Sequence, residues 1–272
     1  MAIDMTGIGF IGFGKMAQAI VKGMLFSKKY SSKKISAYDV DVKTLVLGCK
    51  KYKIGKENSN QNILNKKRII ILAVKPQNLS EVLESLKTNI TSNHLIITIV
   101  AGVSINKIQQ LLGIKCSVVR VMPNTPALIG EGAAGYAFSR EVKAKDKILT
   151  QNILATICKI MINVPESEIN KVTALSGSGP AYVFYFAEAM LEAARQMKFD
   201  LKEAKKLIAQ TFIGSAMLLI KSEEGPEVLR RNVTSKGGTT ESAITTMEAK
   251  AVKDSFIKAI ILAKERADEL GK

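Results

Sequence analysis

The sequence predicts an α/β domain followed by an all-α domain, and three observations carry that prediction. In the first half, short apolar runs alternate with amphipathic stretches, the rhythm of βα units around a parallel sheet. A glycine-rich turn, Gly12-Phe13-Gly14-Lys15-Met16-Ala17, follows the first of those runs. From Asn170 onward the apolar residues recur with helical period alone, and no strand signal survives.

The elements follow in order. Gly7–Ile11 reads as a strand, and Lys15–Lys28 as a helix that buries Met16, Ala19, Ile20, Gly23 and Met24. Lys34–Tyr38 is a second strand, followed by weaker helical and turn segments. Arg68–Val74 is apolar on both faces, as a central parallel strand is. Leu79–Leu86 is helical, Leu95–Val100 a buried strand, Ile105–Leu112 helical and Ser117–Met122 a strand. Lys143–Ile160 reads as a longer helix before a last apolar run, Met161–Val164. The rhythm changes near Pro165, which places the domain boundary between 1–164 and 165–272. Beyond it, Gly179–Met197, Leu201–Ile220 and Ala251–Leu270 are long helices, with shorter ones around Val228 and over Ser242–Lys250. Their Ala, Met and Leu faces are too wide for one thin layer to bury, so a partner subunit is expected to cover them.

Composition narrows the class. Hydrophobic residues make up 47% of the 272 and charged residues 24%, which excludes wholesale disorder. No apolar run approaches the ~20 residues that span a bilayer. Met1-Ala2-Ile3-Asp4 carries no basic region and no cleavage pattern, so a cytoplasmic location is expected. Cys49, Cys116 and Cys158 lie far apart, which argues against a disulfide framework or a zinc ribbon. The net charge of +16 invites a nucleic-acid reading. Its cations are mostly Lys, however, placed in pairs such as Lys28-Lys29, Lys33-Lys34, Lys50-Lys51 and Lys66-Lys67, with no arginine-rich arm or zinc finger. A Lys-biased solvated surface is the simpler account. His94 is the only histidine, which removes most His-based catalysis and metal chemistry.

Gly12–Ala17 fits G-x-G-x-x-[GA], in the strand–turn–helix context where such glycines let the backbone approach a pyrophosphate at a helix N-terminus. This marks the first domain as a Rossmann-type dinucleotide-binding domain. Asp39 lies 22 residues beyond Ala17, at the end of the second strand. An acidic residue there suits the adenosine ribose hydroxyls and repels a 2′-phosphate, which argues for NAD(H). Two alternatives stay open: Lys43 accommodating a phosphate, and Asp39 serving only as a helix cap.

The chain resembles the pyrroline-5-carboxylate reductases. The matching stretches are Gly9–Ala17, Ala73-Val74-Lys75-Pro76-Gln77, Ala101-Gly102-Val103, Met122–Pro126, Val172–Tyr182 and Val233–Thr240. They run in the family's order over essentially the whole chain, and the Ser176–Tyr182 and Gly237–Thr240 blocks are specific to that family. The resemblance implies hydride transfer from NADPH or NADH to the imine carbon of pyrroline-5-carboxylate, giving L-proline. It implies a helical domain that forms a homodimer, an active site shared across that dimer, and further assembly into a ring of dimers. Such a reaction needs little acid–base machinery, since a protonated imine is already a good electrophile and positioning supplies much of the rate.

The resemblance also assigns roles. Gly237, Gly238, Thr239 and Thr240 hold the substrate, with the Thr240 hydroxyl on the ring nitrogen as the catalytic group; Glu223 and Asn124 lie beside the substrate. Gly9, Phe10, Ile11, Gly12, Phe13, Gly14, Lys15, Met16, Ala17, Asp39, Asn60, Ala73, Val74, Lys75, Pro76, Ala101 and Asn232 line the cofactor, with Ala101 and Asn124 on the nicotinamide side. Ser176–Pro180 is as readily a close-packing device as a ligand contact. Two residues depart from the pattern. Lys15 replaces Asn or Gln in the glycine-rich turn, and Lys236 replaces a Pro in the substrate loop, which implies a more mobile loop and a weaker KM. A β-hydroxyacid dehydrogenase is the nearest rival, but the helix from Gly179 lacks its catalytic Lys, the first basic residue being Arg195. Ketol-acid reductoisomerases need clustered carboxylates for Mg²⁺, and none are convincing here.

Overall fold

In a computed structural model of the chain, residues 4–271 are described; the Met1–Ile3 start, on which the location expectation draws, lies outside them. The chain divides into two compact units, one of Met1–Pro180 with Ala263–Lys272, the other of Ala181–Leu262.

The first unit is built on an eight-stranded sheet: β1 (Asp4–Ile11), β2 (Ile35–Tyr38), β3 (Gly55–Lys56), β4 (Lys67–Leu72), β5 (Leu95–Thr98), β6 (Ser117–Pro123), β7 (Gly132–Phe138) and β8 (Cys158–Asn163). Their spatial order is β3-β2-β1-β4-β5-β6-β7-β8, parallel from β3 to β6. The order reverses between β1 and β4, the point where open α/β sheets bind ligands. The crossovers are α1 (Lys15–Phe26), α2 (Val42–Tyr52), α3 (Asn60–Lys66), α4 (Leu79–Leu86) and α5 (Ile105–Leu112). Two apolar clusters fill the layers on either side: Phe10, Phe13, Ile20 and Met24 with Ile69 and Ile71 on one face, Ile63, Leu64, Leu83 and Ile108 with Ile70 and Leu72 on the other. β4 therefore needs apolar residues on both faces, and its run from Ile69 to Leu72 supplies them.

Two expectations need correction. β7 escapes sequence detection because Gly132-Ala133-Ala134-Gly135-Tyr136-Ala137-Phe138 is poor in β-branched residues. The small residues are required by packing: a Cβ at Gly132 would lie 2.7 Å from Ala127 Cβ, and one at Gly135 2.7 Å from a Val172 methyl. β7 runs antiparallel to β6, because residues 124–131 are too few for a parallel crossover. The helix expected over Lys143–Ile160 ends at Leu154 (α6, Ala144–Leu154), and the residues from Cys158 onward form β8 beside β7. At the opening turn of α6, the buried Asp146 carboxylate takes both arms of the Arg68 guanidinium, at 2.6 and 3.2 Å, and so pins α6 to the start of β4.

After β8 come α7 (Ile169–Val172) and a π-helical turn over Thr173–Gly177. The structure turns fully helical here, near the expected boundary, yet residues 165–180 pack on the sheet body. Asn170 receives a hydrogen bond from Arg120 at 2.7 Å and gives one to Asp268 at 2.8 Å. That network places α7 and the chain's last residues in the first unit.

The remaining helices are α8 (Gly179–Gln196), α9 (Leu201–Lys221), α10 (Pro226–Asn232), α11 (Thr239–Ala249) and α12 (Val252–Leu270). Within the second unit Phe256 stacks edge-on against Tyr182 and Phe186. Much apolar surface stays exposed there, including Phe184, Tyr185, Leu218 and Ile220. No helix among the described residues is long and apolar enough to cross a membrane.

The lysine pairs gather where helices hand over to strands. Lys28-Lys29 and Lys33-Lys34 lie between α1 and β2, Lys50-Lys51 close α2, and Lys66-Lys67 join α3 to β4. Cations there complement the negative ends of the helix dipoles, and they sit at the end of the sheet opposite the glycine-rich turn.

Candidate active site

The glycine-rich turn leaves β1 at Ile11 and enters α1 at Lys15. Gly12 has φ +87°, and a Cβ there would lie 2.6 Å from the Ala73 carbonyl oxygen, so only glycine fits. Gly14, by contrast, has φ −69°, and nothing lies within 4 Å of where its Cβ would be. That open cradle faces the first turn of α1, whose amides have no intrahelical acceptor, and it suits the close approach of a pyrophosphate. Lys15 is exposed beside it. Gly9, Phe10 and Ile11 lie inside β1: the tight contact at Gly9 is with Ile63 of α3, and the Phe10 ring packs on Phe13. The side chains of Phe10, Ile11, Phe13 and Ala17 are spent on the core, and only their backbone is left for a ligand; Met16 is half-buried.

Asp39 stands at the end of β2 and is tied to this turn. One carboxylate oxygen accepts from the Phe13 N–H at 2.5 Å, the other from the Asp41 N–H at 2.8 Å. The helix-cap alternative belongs to Asp41 instead, which accepts from the Thr44 N–H at 3.1 Å and its hydroxyl at 2.7 Å. Those two bonds hold the Asp41 carboxyl below the usual carboxylate range. Asn60 opens α3 and donates to Ser85 Oγ at 3.4 Å, while its Oδ1 is buried with no hydrogen-bond partner. A buried acceptor lacking a donor matches a ribose hydroxyl, so the cradle, Asp39 and Asn60 together fit a dinucleotide.

Ala73, Val74, Lys75 and Pro76 leave the C-terminal end of β4, with Lys75 and Pro76 exposed. Ala101 follows β5 beside Gly102, whose φ of +73° lets Leu270 approach. Asn124 follows β6; its Oδ1 accepts from the Ala133 N–H at 2.9 Å and its Nδ2 donates to Ser176 Oγ at 3.2 Å. Sequence reasoning leaves Ser176 open between packing and ligand contact, because a π-helical turn leaves no periodic signature.

Of the residues expected on the substrate side, Glu223 and Gly237–Thr240 fall in the second unit, as does Asn232. Ser235-Lys236-Gly237-Gly238 is a β-turn closed by the Gly238 N–H on the Ser235 carbonyl at 3.0 Å, with Gly237 at φ +73°. The Gly237 N–H donates to Glu241 Oε2 at 2.7 Å, and Gly238 caps α11. Thr239 and Thr240 open that helix, Thr239 exposed and Thr240 half-buried. Glu223 is exposed between α9 and α10, and Asn232 ends α10, donating to Glu224 at 3.1 Å. Lys236 occupies the turn position before a left-handed glycine, where proline's fixed φ fits best. Lys236→Pro is accordingly expected to stabilise the protein by about 0.4–1 kcal/mol, a rise that the denaturant midpoint checks.

The cysteines and the histidine take no part. Burial pushes the thiols of Cys49, Cys116 and Cys158 up to about 11, far from thiolate reactivity. His94 is buried, accepts from the Thr91 N–H at 3.0 Å and faces the Leu64 carbonyl at 3.2 Å, and its burial lowers its pKa.

Comparison with known proteins locates this arrangement. Residues 166–270 match a family model described as pyrroline-5-carboxylate reductase dimerisation, and residues 7–102 one described as NADP oxidoreductase, coenzyme F420-dependent. A pyrroline-5-carboxylate reductase of Methanosarcina acetivorans is 39% identical over 97% of this chain and 98% of its own. The solved Coxiella burnetii pyrroline-5-carboxylate reductase shares 36% identity with a TM-score of 0.86, covering 99% of this chain and 100% of that one. A Plasmodium falciparum pyrroline carboxylate reductase solved with NADP bound shares 28% identity with a TM-score of 0.89, covering both chains fully at 100%.

Proposed function

The chain belongs to the pyrroline-5-carboxylate reductase family, and from that premise we infer that it reduces 1-pyrroline-5-carboxylate to L-proline, the last step of proline biosynthesis. The observation that carries the inference is the full-length match to reductases, joined to a glycine-rich turn whose Gly14 cradle is open. A reduced nicotinamide dinucleotide supplies the hydride to the imine carbon, and the ring nitrogen, protonated, becomes an amine. The chain's own work is to bind, align and exclude water. In this reading Gly237–Thr240 receive the substrate, with its carboxylate on the backbone amides that open α11, at Thr239 and Thr240, and its ring nitrogen beside the Thr240 hydroxyl. Glu223 and Asn124 flank the substrate, Ala73–Pro76 and Ala101 follow the cofactor along the strand ends, and Asn232 completes its surroundings. Residues 1–164 serve the dinucleotide, 165–272 the substrate and the dimer.

The test is loss of dihydronicotinamide absorbance dependent on pyrroline-5-carboxylate, run with NADH and NADPH in parallel. No imine-dependent oxidation with either cofactor, from folded protein that binds a dinucleotide, would move the substrate to another imine or to a keto acid.

For the cofactor, the reading favours NADH. Asp39 presents a carboxylate where a 2′-phosphate would lie, and like charges at about 4 Å repel by ~1–4 kcal/mol. The Plasmodium relative was solved with NADP, and the choice of NADH for the present chain rests on Asp39. Asp39→Ser is expected to raise the NADPH/NADH ratio of kcat/KM about ten-fold or more, while weakening both cofactors because the Phe13 N–H loses its acceptor. An unchanged ratio would remove Asp39 from the cofactor site.

The exposed apolar helix faces of Ala181–Leu262 support a homodimer. We propose on the family resemblance that dimers assemble further into a ring and that the enzyme works in the cytoplasm.

A further inference from the structure

The Met122-Pro123-Asn124 end of β6 meets the π-helical turn over Thr173–Gly177. Such turns carry an extra residue, which re-aims the side chains around it, and they concentrate at functional sites. The two segments are packed tightly: a Cβ at Gly177 would lie 2.5 Å from the Met122 methyl.

The hydrogen bonds here have a fixed direction. The Ala133 N–H, a donor, meets Asn124 at 2.9 Å and is satisfied only by the amide oxygen. The NH₂ group therefore faces Ser176 and donates to Oγ at 3.2 Å. Ser176 is thereby an acceptor toward Asn124, and its own proton has to leave in another direction. No acceptor for it is found among the described residues. A hydroxyl whose lone pair is occupied and whose proton is unclaimed is a donor held ready for a ligand.

Its place in the fold selects the ligand. Asp39, next after β2, lies on one side of the β1/β4 switch point and Asn124, next after β6, on the other, both just past strand C-terminal ends. A dinucleotide with its adenosine over β2 and its pyrophosphate at the glycine-rich turn extends its nicotinamide half toward β4, β5 and β6. Strands are spaced ~4.8 Å apart, so the end of β6 is about 10 Å beyond β4. Ser176 and Asn124 also belong to the same compact unit as the glycine-rich turn. We propose that the Ser176 hydroxyl donates a hydrogen bond to the carboxamide oxygen of the bound nicotinamide, with Asn124 aiming it, and so fixes which face of the ring is presented to the imine. The proposal rests on the reductase reading above.

Calorimetric titration of the purified protein without substrate tests it, comparing NADH with its thionicotinamide analogue, whose sulfur is a poor acceptor. The unmodified protein is expected to bind NADH about five-fold more tightly than the analogue, the effect of one hydrogen bond of ~1 kcal/mol. Ser176→Ala is expected to weaken NADH about five-fold and leave the analogue unchanged, abolishing the preference. Ser176→Cys, which keeps the volume with a weak donor, is expected to behave like the alanine variant, and Ser176→Thr to restore the preference. An alanine or cysteine variant that weakens both ligands equally, or that keeps the preference, would overturn the assignment. If the unmodified protein binds neither NADH nor NADPH, the dinucleotide reading falls and this proposal with it; binding without a Ser176-dependent preference sinks the proposal alone.

Discussion

Gly12→Ala is expected to destabilise the protein by about 2–5 kcal/mol and to abolish measurable dinucleotide binding. Two costs combine. A non-glycine residue at φ +87° pays ~1–2 kcal/mol for the left-handed backbone. The new methyl would also meet the Ala73 carbonyl oxygen at 2.6 Å and a Val74 methyl at 2.9 Å, an overpacking of ~1–3 kcal/mol. Neither neighbour yields easily, since the Ala73 N–H is held by the Ile11 carbonyl at 2.8 Å. Relief comes only by moving the turn, and with it the Phe13 N–H bonded to Asp39. Gly14→Ala separates fold from ligand. Its φ of −69° is ordinary and its Cβ meets no protein atom, so the denaturant midpoint is expected to hold while the methyl fills the pyrophosphate cradle and weakens NADH at least ten-fold. Denaturation curves and NADH titrations read both variants. A Gly14→Ala protein with unchanged NADH affinity would place the pyrophosphate elsewhere.

Legibility followed the physics of each segment. β4 and β5 were visible because burial on both faces demands continuous β-branched and Leu runs, and Ile69–Leu72 and Leu95–Thr98 are such runs. α4 and α5 were visible to the residue because a helix buried along one face needs an apolar stripe at helical spacing, which Leu79, Leu83 and Leu86 and then Ile105, Ile108 and Leu112 provide. β7 was invisible because its small residues answer largely to Ile157 and Val172, which are distant in sequence. At the site, the glycine-rich turn announced itself by spacing, since its glycines answer to local backbone geometry. Asp39 was found by its distance from that turn, but its bond to Phe13 and the capping role of Asp41 needed coordinates. Ser176 lay in plain view within a family motif, and only the orientation of the Asn124 amide gave its hydroxyl a direction. The charge was legible in outline: pairs that read as helix ends and turns do lie there, but that they share one end of the sheet needed its topology.

Thr240→Ala is expected to lower kcat by about ten-fold or more, with a smaller change in the imine KM. The reason lies in what other threonine hydroxyls of these helices do. Thr211 in α9 donates to the Leu207 carbonyl at 2.8 Å and Thr246 to the Ser242 carbonyl at 2.9 Å, the usual i−4 bond of a helical threonine. Thr240 is the second residue of α11, so its i−4 residue is Lys236, in the turn before the helix, and no hydrogen bond to its hydroxyl is found among the described residues. The β-turn with Gly237 at φ +73° and the Gly237 N–H bond to Glu241 fix where that helix begins. A half-buried hydroxyl, positioned by the turn and unspent on the backbone, is what a ring nitrogen changing from imine to amine requires. Its loss removes one positioning hydrogen bond, worth ~1.4 kcal/mol or more if the contact strengthens in the transition state. Thr240→Ser keeps the hydroxyl on the same turn and is expected to recover most of kcat, whereas a purely capping role for Thr240 would show as lost stability with kcat intact. Steady-state kinetics beside thermal melts distinguish the two, and an alanine variant with full turnover would take the hydroxyl out of the reaction.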